Sequence, residues 1–262
     1  MWDPTTYLRY ADERSRPFHD LVARVAVDRP RAVVDLGCGP GALTATLATR
    51  WPDARIAGID SSPEMIDRAA ALDAPVDFTV GDVRRWRPAP DVDVVVANAV
   101  LQWVPGHREL LTRWAGELPA GAWLAFQVPG NFAAPSHRAL REVARRERWS
   151  ATLGPLLREA PVDDPSDYAA SLAAAGCAVD AWETTYVHLL PAAADHPVLA
   201  WMEGTALRPV RAALDAAAWA DFRAELAVRL AEAYPARQGQ VYFPFRRIFV
   251  VARTGARAEE KL

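Results

Sequence analysis

A short apolar run that halts at alternating glycines constrains this chain more than any other feature. Ala32–Val33–Val34–Asp35–Leu36 is apolar but for Asp35 and has two β-branched valines at its centre, and Gly37-Cys38-Gly39-Pro40-Gly41 follows at once. A strand must end there in a tight turn, because glycines at alternate positions let the backbone bend and approach a ligand without Cβ clashes. A helix is predicted over 41–50, with Leu43 and Leu47 on one face. The same punctuation recurs along the next stretch. Arg55–Asp60 reads as a second strand, and Ser61 or Ser62 caps a helix with Pro63 and Glu64 in its first turn. Val76–Val80 is a third strand, ending at Gly81–Asp82. Asp93–Asn98 is a fourth, with four apolar residues in a row as for a strand covered on both faces. His107–Leu118 is helical and Ala122–Val128 is the fifth strand. Strand–helix alternation at this spacing predicts an α/β fold with a parallel, doubly wound sheet.

The later chain is less regular. Pro135–Trp149 has the pattern of one charged amphipathic helix, and Thr152–Pro165 that of a proline-punctuated loop. Ser166–Ala175 is a helix closed by Gly176, and Ala178–Leu190 holds a strand. Asp195–Leu207 and Ala216–Tyr234 are helical, and Gln240–Arg253 is a final strand broken by Pro244. The expected organisation is a single domain over 1–262. Residues 1–30 form an N-terminal lid and helix, and 31–128 the cofactor-binding core. Helical caps are inserted at 130–163 and 191–238, and 240–253 is the last strand.

Three acids give the glycine turn its chemistry. Asp35 lies two residues before Gly37, Asp60 ends the next strand about 20 residues on, and Asp82 ends the third. Gly37-x-Gly39-x-x-Ala42 also satisfies a dinucleotide fingerprint. Charge decides between cofactors: a carboxylate at Asp35 would repel a pyrophosphate, whereas S-adenosylmethionine carries a sulfonium and an ammonium that an acid attracts. Cys38 is a small residue in the turn without a basic neighbour to make it reactive.

Composition removes other chemistries. Thirty basic and thirty-three acidic side chains give a net charge of -3, too little positive field to hold nucleic acid. Lys261 is the single lysine, which excludes Schiff-base, P-loop and Tyr-x-x-x-Lys mechanisms. Two cysteines suit a reducing, cytoplasmic setting, and the five scattered histidines offer no metal site. Acidic residues near the start argue against a signal peptide, and no apolar run reaches the ~20 residues of a membrane span.

Asp-Leu-Gly-Cys-Gly-Pro-Gly, followed by Ile59–Asp60 and Gly81–Asp82, resembles the class I S-adenosylmethionine-dependent methyltransferases over about residues 31–128. The resemblance implies a seven-stranded Rossmann-like sheet whose last strand is antiparallel, with helical cap insertions. It implies S-adenosyl-L-methionine as cofactor, with the Gly37, Cys38, Gly39 and Gly41 turn and Asp35 near the methionine part, Asp60 on the ribose, and Asp82 and Val83 at the adenine. Ser61, Met65 and Asn98 complete the expected contacts. A narrower likeness, to a carboxyl-methylating branch, runs through the whole chain. Its motifs are Trp2-Asp3-Pro4-x-x-Tyr7, Glu13–Arg14–Ser15–Arg16–Pro17, Asn98–Trp103, Arg141–Ala144, Trp182–His188, Thr205–Pro209 and Pro244–Phe249. It implies formation of a monomethyl ester on one carboxylate of trans-aconitate or a related small polycarboxylate.

The chemistry agrees with that implication. A carboxylate is ionised at pH 7 and needs no general base, so positioning is the main catalytic device and no catalytic acid–base residue is expected. A polyanion calls for arginines, whose forks bond carboxylates in pairs. Arg14 or Arg16, Arg208, and Arg246 or Arg247 are the candidates, each with the alternative of a solvated surface charge; the neighbours Arg246 and Arg247 must face opposite sides of a strand. Tyr7, Tyr10, Tyr186, His188 and Tyr242 offer hydrogen bonds, and Gln102 and Trp103 follow strand four. Tyr7 and Tyr10 either form a lid or pack, while His188 and Trp103 have core positions as their alternative. Two other activities stay open: methyl transfer to another small acid or a phenol, and non-catalytic binding of S-adenosylmethionine.

Overall fold

The computed structural model describes residues 11–255, with the backbone alone for 11–14. Seven strands form one sheet: β1 (Ala32–Leu36), β2 (Arg55–Asp60), β3 (Val76–Val80), β4 (Val92–Asn98), β5 (Trp123–Pro129), β6 (Cys177–Pro191) and β7 (Gln240–Thr254). Their order is β3-β2-β1-β4-β5-β7-β6. β1 pairs in parallel with β2 and β4, and β4 with β5, whereas β7 runs antiparallel to β5. The order reverses between β1 and β4, the place where an open α/β sheet leaves a crevice for a ligand.

The chain divides into two compact units. The sheet unit comprises Ser15–Pro129, Val162–Thr184 and the chain from Arg247 on. β1, β4 and β5 are almost wholly buried, matching their unbroken apolar runs. One core gathers Val34, Leu36, Val95, Ala97, Phe126 and Val250 with Trp114 of α4 (His107–Glu117) and Tyr168 of α7 (Pro165–Ala174). α1 (Ala11–Val22), α2 (Ala42–Arg50) and α3 (Pro63–Ala70) complete the helices numbered to this point. Ser62 caps α3, accepting a hydrogen bond from the Met65 N–H, with Pro63 at the first position.

The cap unit comprises Gly130–Pro161 and Thr185–Arg246. Its core is built from Leu140, Val143, Trp149, Trp201, Phe222 and Phe243. The single helix expected at 135–149 is two, α5 (Pro135–Ala144) and α6 (Glu147–Leu153). Val143 and Trp149 are both buried, yet on a straight helix six residues would set them about 120° apart; the break at Arg145–Arg146 turns both into one core. The loop expected from Thr152 carries the end of α6 and a 3₁₀ turn at Gly154–Leu156. The helix expected at 195–207 is confined to α8 (Pro197–Glu203), followed by α9 (Arg208–Ala213) and α10 (Ala216–Ala233). β7 is continuous through Pro244, not broken there. Pairing with β5 covers only Arg247–Arg253, so the missing proline N–H removes no β5 hydrogen bond.

Candidate active site

The glycine turn is fastened to the end of β2. The N–H groups of Gly37 and Cys38 both donate to the Ile59 carbonyl, at 2.7 and 3.1 Å. Asp60 braces the rest: Oδ2 accepts from the Gly39 N–H at 3.0 Å and Oδ1 from the Ser62 N–H at 2.9 Å. A carboxylate accepts about four hydrogen bonds, so Asp60 keeps capacity for two ribose hydroxyls. Gly37 has φ +80°, and a Cβ there would lie 2.5 Å from Val100 Cγ2, so the end of β4 closes directly on the turn. Over Gly39, by contrast, a Cβ would meet nothing within 4 Å. The turn is crowded below and open above, as a cradle for a ligand must be. Ala99, immediately after β4, has φ 55°, a left-handed conformation unusual for alanine and typical of functional sites.

Asp35 lies within β1, as the strand over 32–36 predicts, and it is buried, 3% exposed. Thr44 of α2 donates its hydroxyl to Oδ2 at 2.6 Å, while Oδ1 has no partner among the described residues. Burial lifts its pKa from 3.8 to about 7, opposed by the Thr44 hydrogen bond and reinforced by the nearby Asp60. A bound cation would pull the proton off again. The preference for a cationic cofactor therefore rests on a dry acceptor awaiting a positive partner. The Cys38 thiol is buried and pushed upward by burial and by Asp35 and Asp60, so it is inert as expected.

Asp82 sits at the end of β3 with Val83 buried beside it. Its carboxylate is clasped by Arg84, whose Nη2 donates at 2.6 Å, and this partner lowers its pKa to about 2. Ser61 is exposed and Met65 half-buried at the start of α3. Asn98 ends β4 with its Oδ1 buried and unpartnered among the described residues. These residues, all within the sheet unit, fit S-adenosylmethionine: acceptors stand open for a cationic, hydroxyl-bearing ligand beside a cleared backbone.

The expected substrate residues disperse. Tyr7 and Tyr10 lie outside the described residues, as does the Arg14 side chain. The Arg16 side chain is 70% exposed on α1, 3.8 Å from Asp20 one turn on. Arg208 is exposed at the start of α9. Tyr186 and His188 are buried, and His188 stacks on Trp201 of the cap core at 4.7 Å, the core position given above as its alternative. Trp103 is 48% exposed, whereas Gln102 is buried and donates Nε2 to the Ala99 carbonyl at 2.6 Å, leaving Oε1 open. Tyr242 and Arg246 line a cap-unit cavity of about 570 Å³ with Asn131, Tyr234 and Arg237, and Arg246 Nη1 donates to the Gly130 carbonyl. Arg247 is 6% exposed and donates Nη1 to Gln127 Oε1 at 3.0 Å.

Gln127 and Thr44 were absent from the sequence reading. Gln127 had a signal: it is the one polar side chain in the run Ala122–Val128. Thr44 had none, because only the approach of α2 to β1 sets it against Asp35.

The family model described as a methyltransferase domain matches residues 33–120. A trans-aconitate 2-methyltransferase of Mycobacterium sp. (strain KMS) is 60% identical over 262 residues, covering 97% of this chain and 100% of that protein. Among solved structures, YcgJ of Bacillus subtilis shares the fold with TM-score 0.59 and 14% identity, covering 92% of this chain and 99% of that one. A Haemonchus contortus phosphoethanolamine N-methyltransferase 2, solved with S-adenosyl-L-methionine, aligns with TM-score 0.51 and 14% identity over 92% of this chain and 53% of that one.

Proposed function

The chain belongs to the trans-aconitate 2-methyltransferase family, and from that footing we propose that it esterifies one carboxylate of trans-aconitate, or of a closely related small polycarboxylate, to a monomethyl ester. The observation that carries this reading is the 60% identity to a named relative across 97% of this chain and the whole of that one. Similarity of that extent reaches the cap segments as well as the glycine turn.

S-adenosylmethionine supplies a methyl group on a sulfonium, open to attack by an oxygen nucleophile. Asp60 would take the ribose hydroxyls on the lone pairs that the Gly39 and Ser62 N–H groups leave free. Asp35 would present its open Oδ1 to the cofactor's positive charge, which would favour its ionised form. For Asp82 to receive the adenine amine, Arg84 must share or release the carboxylate it clasps. Asn98 Oδ1 and Gln102 Oε1 add two buried acceptors where β4 ends. Because the acceptor acid is already ionised at pH 7, the chain has no proton to remove, and its work is to strip water from the reacting oxygen and hold it in line.

The reading places the reaction in the cytoplasm; Cys38 and Cys177 are both free, and among the described residues no helix is long and apolar enough to cross a membrane. The test is incubation with methyl-labelled S-adenosylmethionine and a panel of di- and tricarboxylates, a phenol and an aliphatic amine. Base-labile label on trans-aconitate is the expected result. Label confined to the phenol or the amine, or cofactor binding without transfer to any acid, overturns it.

A further inference from the structure

One face of the sheet carries a row of buried polar groups whose hydrogen-bonding sense changes partway along. Asp35 is paired with Val96, Asn98 lies two residues beyond Val96, Asn98 is paired with Gln127, and Gln127 lies two residues before Pro129, the partner of Arg247. Paired residues and residues two apart share a face, so Asp35, Asn98, Gln127 and Arg247 run in one line across β1, β4, β5 and β7. The first two offer unpartnered oxygens, Asp35 Oδ1 and Asn98 Oδ1. The last two carry donors: Arg247 Nη1 is spent on Gln127 Oε1, and Gln127 Nε2 is unpartnered among the described residues.

Gln127 fixes where that change occurs. It is fully buried, and Arg247 Nη1 donates to its Oε1 at 3.0 Å. A guanidinium has no acceptor, so the amide oxygen must face Arg247 and the amide nitrogen must point away from it. That nitrogen, Nε2, has no partner among the described residues. An amide in a dry strand interior with its donors idle is the arrangement a structure tolerates when a third group completes it. Asn98 Oδ1, its cross-strand neighbour, is also unpartnered and does not bond to it.

We propose that Gln127 and Arg247 are the anion-binding end of the active site: Gln127 steers the Arg247 guanidinium through Oε1 and donates Nε2–H to a carboxylate of the acid substrate. This rests on the polycarboxylate reading above and adds the residue that selects for charge. The row then sorts its two ligands by sign, with acceptors at β1 and β4 for the cationic cofactor and donors at β5 and β7 for the anionic acid. Because Gln127 is buried, a carboxylate that reaches Nε2 must shed its water there, and a charge-assisted hydrogen bond is strongest in such a setting.

The experiment compares wild type, Gln127→Met and Gln127→Glu. Binding of S-adenosylhomocysteine by calorimetry reports an intact cofactor end, and steady-state kinetics are run with trans-aconitate and with smaller, less charged acids. Gln127→Met keeps shape and removes both hydrogen bonds, so KM for trans-aconitate rises ~10-fold or more while S-adenosylhomocysteine affinity and kcat change by less than about threefold. Gln127→Glu adds a negative charge beside Arg247, so its KM rises further and the loss grows with the number of carboxylates on the substrate. A parental KM in both variants, or a lowered melting temperature alone, means that the amide serves the fold with Asn98 and overturns the proposal. Equal losses for all acids whatever their charge also overturn it. If Gln127→Met does not bind S-adenosylhomocysteine, Gln127→Glu, the closer isostere, decides. Wild type that turns over no polycarboxylate, yet binds S-adenosylhomocysteine, removes the functional reading itself and is distinguished by the same calorimetry.

Discussion

The carboxyl edge of the sheet unit and the charged surface of the cap unit use their polar side chains in opposite ways. Along the carboxyl edge of the sheet unit, Asp35 Oδ1, Asn98 Oδ1, Gln102 Oε1 and Gln127 Nε2 are buried and open. The cap unit turns its charges on itself: Arg146 pairs with Glu225 at 2.6 Å, Arg148 with Asp221, and Arg223 with both Asp195 and Glu203. Open buried groups lower stability and are kept where a ligand completes them; mutually paired surface charges mainly shape a solvated exterior. Reactivity therefore belongs to the first set, and the contrast is measurable residue by residue.

The largest effect is expected at Asp60. Removing its carboxylate in Asp60→Ala takes away the ribose acceptor and the brace of the Gly39 and Ser62 N–H groups. Cofactor affinity should fall by about 1–3 kcal/mol, or roughly 5- to 150-fold, in calorimetry with S-adenosylhomocysteine. Unchanged affinity would break the contrast at its strongest point.

Asp35 sharpens the comparison through pH. Its carboxyl titrates near 3.8 in an unfolded chain and near 7 in the fold. Between those values the native state holds the extra proton, so this group's contribution to stability falls as pH rises from about 4 to about 7. Asp35→Asn should raise the melting temperature of the ligand-free protein at pH 8, and the gain should shrink as pH is lowered through 7. The same variant should bind S-adenosylhomocysteine more weakly, since the neutral amide attracts no ammonium. A melting curve with no pH-dependent difference from the parent would show that Asp35 is not a buried titrating group.

The smallest effect is expected in the cap. Arg148 and Asp221 are more than half exposed, so Arg148→Ala should cost less than ~1 kcal/mol in chemical denaturation and leave KM unchanged. A large shift in KM would give the cap's charges a role in the chemistry.

How far the sequence could be read follows the same division. The bounds of β1, β2 and β3 are legible to the residue, because each is a short run stopped by its own glycine or aspartate. The Ser62 cap and the Asp60 position are also local, fixed by spacing from the turn. The cap helices were misdrawn where distant packing overrides local pattern: nothing between Pro135 and Trp149 shows that Val143 and Trp149 must reach one core. Pro244 was read as a break because proline alone does not reveal that β5 has already ended. In the site, the acids beside the turn were legible, but the state of Asp35 was not, since burial and the Thr44 bond come from tertiary contact. Gln127 became meaningful only when register set it against Arg247, 120 residues away.

Asp60 carries one more consequence. The carboxylate offered to the ribose is also the stitch that ties Gly39 and Ser62 into the turn. Ligand choice and loop shape are thus written in a single side chain. A descendant that adopted a different nucleotide would first have to re-knit the loop, which makes the cofactor the slowest-changing property of this enzyme and its acid partner the easier one to exchange.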